Sequence, residues 1–288
     1  GAWQSVERIS AGALPLSGLA RSLHRYASDA FVVTVALHAG REWAYRRYAS
    51  VHRFAWLTGA LLIGFVFASG IGGFWLVWDR LAQFSIVATV EWLDVLPLFA
   101  EPLSRNFVDG AMISDRLFSL LMFLHIGIPL GMLALMWIHV QRLHLPTTQP
   151  PRRIAAGTLA ALTLLSLAFP VASDAPATFD VVPAQLDLDW FYLWPHVVQY
   201  AWSAEGLWLL AAGGAALLLA LPYGSRAARE PRPGAAQVEL TNCNGCRRCV
   251  ADCPYGAIEM IARTDGRPHP FQANVDPMRC AGCGICAG

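Results

Sequence analysis

The stretch RSLHRYASDAFVVTVALHAGR, residues 21–41, decides how this chain folds. It is an apolar run that contains two histidines, His24 and His38, which lie fourteen residues apart. Fourteen residues is close to four turns of an α-helix, so both imidazoles face the same side, about 21 Å apart along the axis. The stretch therefore predicts a long helix that presents two histidines in one row.

A second stretch, FLHIGIPLGMLALMWIH at residues 123–139, repeats the spacing with His125 and His139. If the two helices run in the same direction, His24 faces His125 and His38 faces His139. A single histidine in a membrane helix is as readily explained by a hydrogen bond between helices as by a haem. Two equally spaced pairs are harder to explain in that way, because polar groups at membrane depth are costly and usually functional. The spacing therefore predicts two bis-histidine haems.

The composition is that of a membrane protein. Of the 288 residues, 56% are hydrophobic and 14% are charged, whereas soluble domains are about 25% charged. The net charge of +1 gives no electrostatic reason to expect nucleic acid as a partner. Five apolar segments have about the 20 residues that cross a bilayer as a helix. They are residues 23–45, 54–78, 117–140, 154–171 and 205–221.

The segments that connect these helices alternate in charge. Arginines follow the first, third and fifth helices, whereas acids dominate the other two connections. The positive-inside rule places the arginines, and everything after residue 225, in the cytoplasm. We expect a multi-pass protein of the bacterial inner membrane, surrounded by lipid, with a further helix missing before Gly1. The acidic connections, residues 79–115 and 172–204, predict short amphipathic helices along the membrane surface.

The second predicted helix contains two glycines at the same spacing. Gly59 and Gly73 lie fourteen residues apart. A glycine lets a flat macrocycle approach the helix backbone, and two at this spacing would serve both haems. Close packing between helices is the other explanation for glycine in a membrane helix. The match with the histidine spacing favours haem.

All seven cysteines lie in the C-terminal part of the chain, in two runs. The first run is C-x2-C-x2-C-x3-C followed by proline, the pattern of bacterial ferredoxins. The second run begins with the same spacing. The first run is Cys243, Cys246, Cys249 and Cys253, and the second is Cys280, Cys283 and Cys286.

The two runs predict two [4Fe–4S] clusters, because the fourth cysteine of each run ligates the other cluster. One cluster is held by Cys253 and the second run, and the other by the first three cysteines of the first run. The remaining ligand is expected at position 290, in a sequence that we expect to be trimmed. If Gly288 is the true end, a three-cysteine [3Fe–4S] cluster is the alternative. Structural zinc also uses C-x2-C pairs, but it does not need this pattern twice.

Three stretches resemble cytochrome b of the cytochrome bc and b6f complexes. Residues 21–41 resemble the second helix of that family, residues 56–79 the third and residues 123–144 the fourth. The resemblance covers about residues 2–225 and implies that the four histidines ligate two b haems. It also implies that Arg21 and Arg41 pair with haem propionates, which suits the cationic fork of arginine; a simple interfacial anchor is the alternative. Residues 237–288 resemble two-cluster ferredoxin domains.

The family binds quinone on both sides of the membrane, and the resemblance implies candidate residues for each. His144 matches a quinone-contacting histidine on the cytoplasmic side, or it is an interfacial histidine. On the periplasmic side the family has the motif PEWY, where this chain reads LDWF at residues 188–191. Asp189 is therefore a candidate quinone-site acid. The family's LPWD has also become LVWD at residues 76–79, so the periplasmic site is altered or silent.

These observations predict an all-α transmembrane bundle joined to a small α+β ferredoxin-like domain. We expect a di-haem domain over residues 1–225, a linker over 226–236 and a two-cluster domain over 237–288. The chain would exchange electrons between a cytoplasmic iron–sulfur or flavin protein and ubiquinone or menaquinone. No G-x-G-x-x-G stretch suggests a nucleotide site, so flavin or nicotinamide chemistry belongs to a partner subunit.

Two other classes of function remain open. One is a bc-type quinol oxidase core that passes electrons to a periplasmic acceptor, in which the ferredoxin domain would have no role. The other is a haem sensor or membrane anchor without enzymatic activity, which rapid reduction of haem through the clusters would exclude. The family generally forms dimers, so a homodimer is a candidate assembly.

Overall fold

The computed structural model describes residues 1–12, 16–44, 48, 52–107, 113–141, 149–224, 235–277 and 279–287. Its helices are α1 (Ala2–Ser10), α2 (Ser17–Ala44), α3 (Arg53–Val77), α4 (Arg80–Asp94), α5 (Asp115–Val140), α6 (Arg152–Ala168), α7 (Trp194–Ala201), α8 (Ala204–Gly224) and α9 (Arg248–Asp252). The described part also has 3₁₀ segments at Leu103–Phe107 and Ile285–Ala287 and two strands, β1 (Ile258–Ala262) and β2 (Phe271–Val275). The predicted fold class is confirmed.

Each of the five predicted apolar segments forms a helix. Three of them, α3, α5 and α8, are long and apolar enough to cross a membrane. Helix α2 is less apolar because it carries charged residues such as Arg25 and Asp29, and α6 has only 17 residues. The three apolar helices indicate a multi-pass membrane protein, and a membrane span for α2 and α6 stays a prediction.

The chain divides into two compact units. The first comprises residues 1–35, 62–134 and 152–216, and the second comprises residues 36–61, 135–151 and 217–288. His24 and His125 belong to the first unit. His38, His139 and all seven cysteines belong to the second.

The acidic connections of the first unit form short helices, as predicted. Helix α4 begins after Trp78, whose positive φ of 57° turns the chain sharply at the end of α3. Asp79 caps α4, because its carboxylate accepts the Ala82 N–H at 2.9 Å. The same carboxylate accepts the N–H of Asp174 at 3.1 Å, which ties α4 to the second acidic connection. The position of these helices at a membrane surface stays a prediction.

Tyr192 anchors the segment that precedes α7. Its side chain is buried against Val32 and Val66, and its hydroxyl lies 3.0 Å from that of Ser28. A methyl group at Gly70 would overlap the Tyr192 ring, so only glycine allows this close approach. The residues just before Tyr192 are thereby held against α2 and α3.

The C-terminal domain is built on a two-stranded antiparallel sheet in which Ile258 pairs with Val275. Its small core includes two of the cysteines, Cys253 and Cys280. Gly245 has φ +72°, and a Cβ there would lie 2.7 Å from the Phe271 carbonyl oxygen, so this turn requires glycine. Of the predicted linker, only residues 235–236 belong to the described part, and the domain boundaries stay predictions.

Candidate functional site

The first histidine pair joins α2 to α5. The ring centroids of His24 and His125 lie 6.0 Å apart, with the rings nearly perpendicular. Nδ1 of His125 lies 3.1 Å from the backbone carbonyl of Ser69, so that nitrogen carries the proton and donates it. Nε2 of His125 is then the nitrogen with a lone pair for a metal. A Cβ at Gly73 would lie 3.1 Å from Cε1 of His125, so the glycine makes room for this ring.

The second histidine pair repeats the arrangement. The ring centroids of His38 and His139 lie 6.4 Å apart. The Thr58 hydroxyl donates to the Phe54 carbonyl at 2.9 Å and accepts from Nδ1 of His139 at 2.9 Å. A Cβ at Gly59 would lie 3.2 Å from Cε1 of His139. The predicted glycines therefore each lie against one histidine ring.

Both pairs have the separation that a shared metal requires. Metal–imidazole bonds are about 2 Å long and ring centres lie about 1 Å from the nitrogens, so imidazoles on opposite sides of one ion are about 6 Å apart. A hydrogen bond from the other ring nitrogen fixes the tautomer and orientation of a metal ligand, and both His125 and His139 have one. The four histidines therefore fit bis-histidine haem.

The two arginines expected at haem propionates have protein partners. Arg21 donates to the Ser10 hydroxyl and, at 2.8 Å, to the Ser173 hydroxyl. Arg41 pairs with the neighbouring Glu42 at 2.8 Å. Their proposed contact with propionates therefore stays a prediction, and it would require each guanidinium to share its donors.

Asp189 lies in a charged cluster of the first unit. Its carboxylate is ion-paired with Arg25 and also accepts the backbone N–H groups of Phe191, at 2.9 Å, and Tyr192. Arg25 reaches further, to Asp29 at 2.6 Å. The role of Asp189 as a quinone-site acid stays a prediction. His144, the other candidate at a quinone site, lies outside the described residues.

The second cysteine run and Cys253 surround one cavity. Cys253, Cys280, Cys283 and Cys286 all line it, as does Tyr255. Backbone N–H groups point at two of the sulfurs, since Ala257 lies 3.4 Å from Cys253 Sγ and Ala236 lies 3.4 Å from Cys280 Sγ. Hydrogen bonds to sulfur are one means by which proteins tune iron–sulfur clusters. The four thiols thus fit the predicted cluster.

The other three cysteines form a separate group, in which Cys243 and Cys246 lie close enough to Cys249 to interact with it electrostatically. Backbone hydrogen bonds from Ala273 and Gly245 lower the pKa of the Cys243 thiol, whereas burial raises the pKa of Cys249. Within the described ranges, no three His, Cys, Asp or Glu side chains converge closely enough for one metal ion. The thiols instead lie in the two sets that the spacing predicts.

The sequence did not predict the residues that support the histidine pairs, the Asp189 carboxylate and the Cys243 loop. Thr58 directly precedes a glycine that was singled out, and Arg25 directly follows His24 as a charge within a helix. Arg263, at the end of β1, donates to the carbonyl oxygens of Cys243 at 2.5 Å and Leu240 at 2.7 Å. The charge of Arg25 within an apolar segment could have identified it as a functional candidate. No feature of the sequence distinguishes Arg263 in this way.

Both the N-terminal and the C-terminal part of the chain match known protein families. Residues 2–147, half of the chain, match the family Cytochrome b/b6/petB, and residues 242–288 match the 4Fe-4S dicluster domain. Cytochrome b from Rickettsia typhi is 25% identical over 153 residues, which are 53% of this chain and 38% of that protein. Cytochrome b from Acrantophis dumerili is 22% identical over 138 residues, 48% of this chain and 37% of that protein. The chain thus spans less than two fifths of these curated relatives.

One solved structure has a similar fold. A chain of a hyperthermophilic respiratory complex III superposes with a TM-score of 0.60, covering 77% of this chain and 67% of that chain. The sequences are 20% identical over this match. At that identity the likeness concerns the fold alone.

Proposed function

The chain belongs to the cytochrome b/b6 family and ends in a 4Fe-4S dicluster domain, and on this premise we propose that it carries electrons between a cytoplasmic iron–sulfur or flavin protein and the membrane quinone pool. The proposed path has four one-electron centres, two b haems and two [4Fe–4S] clusters, in one polypeptide. We further propose that the chain lies in a bacterial inner membrane with its iron–sulfur domain in the cytoplasm. The soluble partner and a second copy of the chain would complete the assembly.

The observation that carries this proposal is the presence of two matched histidine pairs, 6.0 and 6.4 Å apart, in a chain that also gathers seven thiols into two sets. A single histidine pair would suit a haem sensor or an anchor. Two histidine pairs and two cysteine sets in one chain suit an electron-transfer subunit, because such a subunit needs several redox centres between its electron donor and its electron acceptor.

The residues of the chain hold and tune the centres. Haem and iron–sulfur groups, when bound, supply reversible one-electron chemistry. The Ser69 carbonyl and the Thr58 hydroxyl contact Nδ1 of His125 and His139, which leaves Nε2 of each ring with a lone pair for a metal. Backbone N–H groups of Ala257 and Ala236 donate hydrogen bonds to the sulfurs of Cys253 and Cys280, which is one means by which proteins tune iron–sulfur clusters.

We propose that quinone is exchanged near His38 and His139, which His144 follows in the sequence. A quinol site at Asp189 is less well supported, because the Asp189 carboxylate is already ion-paired with Arg25. The rival function, a quinol oxidase core with a periplasmic acceptor, would need that acid to be available. The ferredoxin domain also has a role only if electrons are exchanged with a cytoplasmic protein, and none in the quinol oxidase.

The test is a redox titration of the purified full chain in detergent, followed by optical and electron paramagnetic resonance spectra. We expect two low-spin b haems and two cubane clusters. We also expect reduced clusters to reduce the haems, and the haems to exchange electrons with ubiquinone or menaquinone. Absence of haem would overturn the proposal, and so would haems that no quinone reoxidises. Clusters that fail to reduce the haems would favour a sensor or an anchor.

A further inference from the structure

The charged cluster between α2 and the segment before α7 contains two carboxylates of different character. Asp189, the acid singled out from the sequence, has a side chain that is 2% exposed, whereas that of Asp29 is 24% exposed. Arg25 lies between them and donates to both, and its guanidinium also lies 5.1 Å from the centre of the Phe74 ring. The protein therefore encloses Asp29 far less than it encloses Asp189.

Asp189 is surrounded by three hydrogen-bond donors. Its Oδ1 accepts the N–H groups of Phe191 and Tyr192, and its Oδ2 accepts Arg25. Its side chain is also almost completely enclosed by protein. Asp189 therefore acts as a structural acid that fixes Arg25 and the chain before α7.

Asp29 has fewer partners. Its Oδ1 accepts Arg25 at 2.6 Å, and Trp190 also donates to its side chain. A carboxylate offers about four acceptor positions, so a proton can be added to Asp29 without breaking the contact with Arg25. Asp29 lies one turn beyond Arg25 on α2 and five residues beyond His24.

The cluster contains one fewer positive charge than negative charges. Among the described residues, the charged and titratable groups that face Asp29 are Arg25 on its own helix and Asp189 and Tyr192 from the segment before α7. Burial raises the pKa of Tyr192, so its hydroxyl stays neutral. One guanidinium then faces two carboxylates, and an uncompensated charge in a helix bundle is costly. A single proton removes that excess.

We propose that Asp29 takes up a proton from water when an electron arrives between His24 and His125, while Arg25 and Asp189 hold it in position. This inference rests on the proposed function, because it requires a haem at that pair. A haem held by His24 and His125 would be reduced from ferric to ferrous by one electron from the iron–sulfur centres that the cysteines would hold. One proton passes from water to a carboxylate oxygen of Asp29, forming one O–H bond. Reoxidation reverses both transfers, so that charge stays balanced.

The test is a spectroelectrochemical titration of the purified full chain at a series of pH values. The haem at His24 and His125 is identified as the signal that is lost in His24→Ala. We expect its midpoint potential to fall as the pH rises. The fall should be at most about 59 mV per pH unit, because one pH unit is a tenfold change in proton concentration and a tenfold change shifts a one-electron couple by about 59 mV. In Asp29→Asn this slope should be lost, whereas Asp29→Glu should retain it.

Asp187→Asn is the matched control, because Asp187 is an exposed acid of the same segment. Its slope should equal that of the unmodified chain. The inference is overturned if Asp29→Asn keeps the slope, if Asp187→Asn loses it, or if Asp189→Asn alone removes it. Two haems whose potentials do not depend on pH would overturn this inference and leave the proposed function intact. A chain without haem would overturn both.

Discussion

At Gly73 the difference between a hydrogen atom and a methyl group decides whether His125 keeps its position. We predict that Gly73→Ala lowers haem occupancy at the His24–His125 pair, because the new Cβ would lie 3.1 Å from Cε1 of His125. Overpacking costs about 1–3 kcal/mol, which exceeds the gain of up to about 1 kcal/mol from replacing a helical glycine. Haem content and the midpoint potential of each haem would measure the effect.

Helix α3 provides its own controls for this prediction. Gly59→Ala should disturb the other haem, since its Cβ would lie 3.2 Å from Cε1 of His139. Gly64→Ala should be neutral, because nothing lies within 4 Å of a Cβ there. Equal effects of all three substitutions on both haems would show that the glycines serve the helix and not the histidine sites.

Thr58 is the residue through which one haem can be tuned independently of the other. We predict that Thr58→Val raises the midpoint potential at the His38–His139 pair. The valine cannot accept the Nδ1 proton of His139, so the imidazole becomes a weaker base and stabilises ferric iron less.

The change should be confined to one haem, because His125 donates to a backbone carbonyl that no side-chain substitution removes. Thr58→Ser keeps the hydroxyl and should behave as the unmodified chain does. Redox titration of the two haems in both variants checks this prediction. A potential that stays unchanged in Thr58→Val, or that moves equally in Thr58→Ser, would contradict it.

Among the short elements, α7 is attached to α4 through a buried histidine. His196 is 1% exposed, its ring nitrogens lie 3.4 Å from Thr89 and Gln199, and Gln199 donates to the Ala88 carbonyl at 3.0 Å. Burial lowers the pKa of His196. The folded protein therefore binds this proton less readily than the unfolded chain, whose histidine titrates near about 6.5.

The pH dependence of stability follows from that difference. The contribution of His196 is present above about pH 6.5 and is lost as the pH falls from there through the folded-state pKa. We predict that His196→Gln reduces the loss of thermal stability between neutral and mildly acidic pH. His269→Gln, at an exposed position, should leave it unchanged. The measurement is the unfolding temperature, in detergent and as a function of pH, of the unmodified chain, His196→Gln and His269→Gln. If the unfolding temperatures of all three fall equally with pH, the prediction is wrong.

The β1–β2 hairpin supports the Cys243 loop through Arg263. This side chain is 3% exposed, is paired with Asp265 at 2.5 Å, and donates to the carbonyl oxygens of Cys243 and Leu240. We predict that Arg263→Lys makes the cluster at Cys243, Cys246 and Cys249 labile, because a lysine lacks the planar fork that reaches all three acceptors. Electron paramagnetic resonance during a chelator challenge would follow each cluster.

The cluster held by Cys253 and the second run should persist in that variant and serves as an internal reference. Arg279→Gln is a second control, because its ion pair with Asp276 is exposed. Simultaneous loss of both clusters in Arg263→Lys would mean that the arginine supports the whole domain and not one loop.

Local spacing and tertiary packing differ in what the sequence can predict about these elements. The fourteen-residue spacing, with two helices that run in the same direction, was enough to predict that His24 faces His125, because the rise of a helix depends on the backbone alone. The partner of Asp189 was not predictable, since Arg25 is 164 residues away in sequence and only packing brings the two together. The start of α2 was predicted six residues late, at Leu23 and not Ser17. Ser17, Gly18, Arg21 and Ser22 lower the hydropathy of this end of the helix, so an apolar run underestimates the length of α2.

At the scale of the whole molecule, the order of electron transfer is the property that remains to be tested. The compact unit formed by residues 36–61, 135–151 and 217–288 contains His38, His139 and every cysteine, whereas His24 and His125 belong to the other unit. Electrons that enter through the thiol sites should therefore reach the His38–His139 haem first. We predict that His38→Ala abolishes rapid reduction of the remaining haem, while His24→Ala leaves reduction of the His38–His139 haem unchanged.

Anaerobic stopped-flow spectroscopy with a reduced soluble iron–sulfur protein as the donor measures both rates. Cys283→Ser measures the rate of haem reduction that does not pass through the cluster at Cys253 and the second cysteine run, and this rate is subtracted. Haem content measured beforehand ensures that each variant has lost one haem only. The asymmetry is the essential result, because a sensor or an anchor has no reason to depend on the order of its centres. Equal rates in the two histidine variants would mean that each haem receives electrons independently, and the chain would then not be a single conducting path.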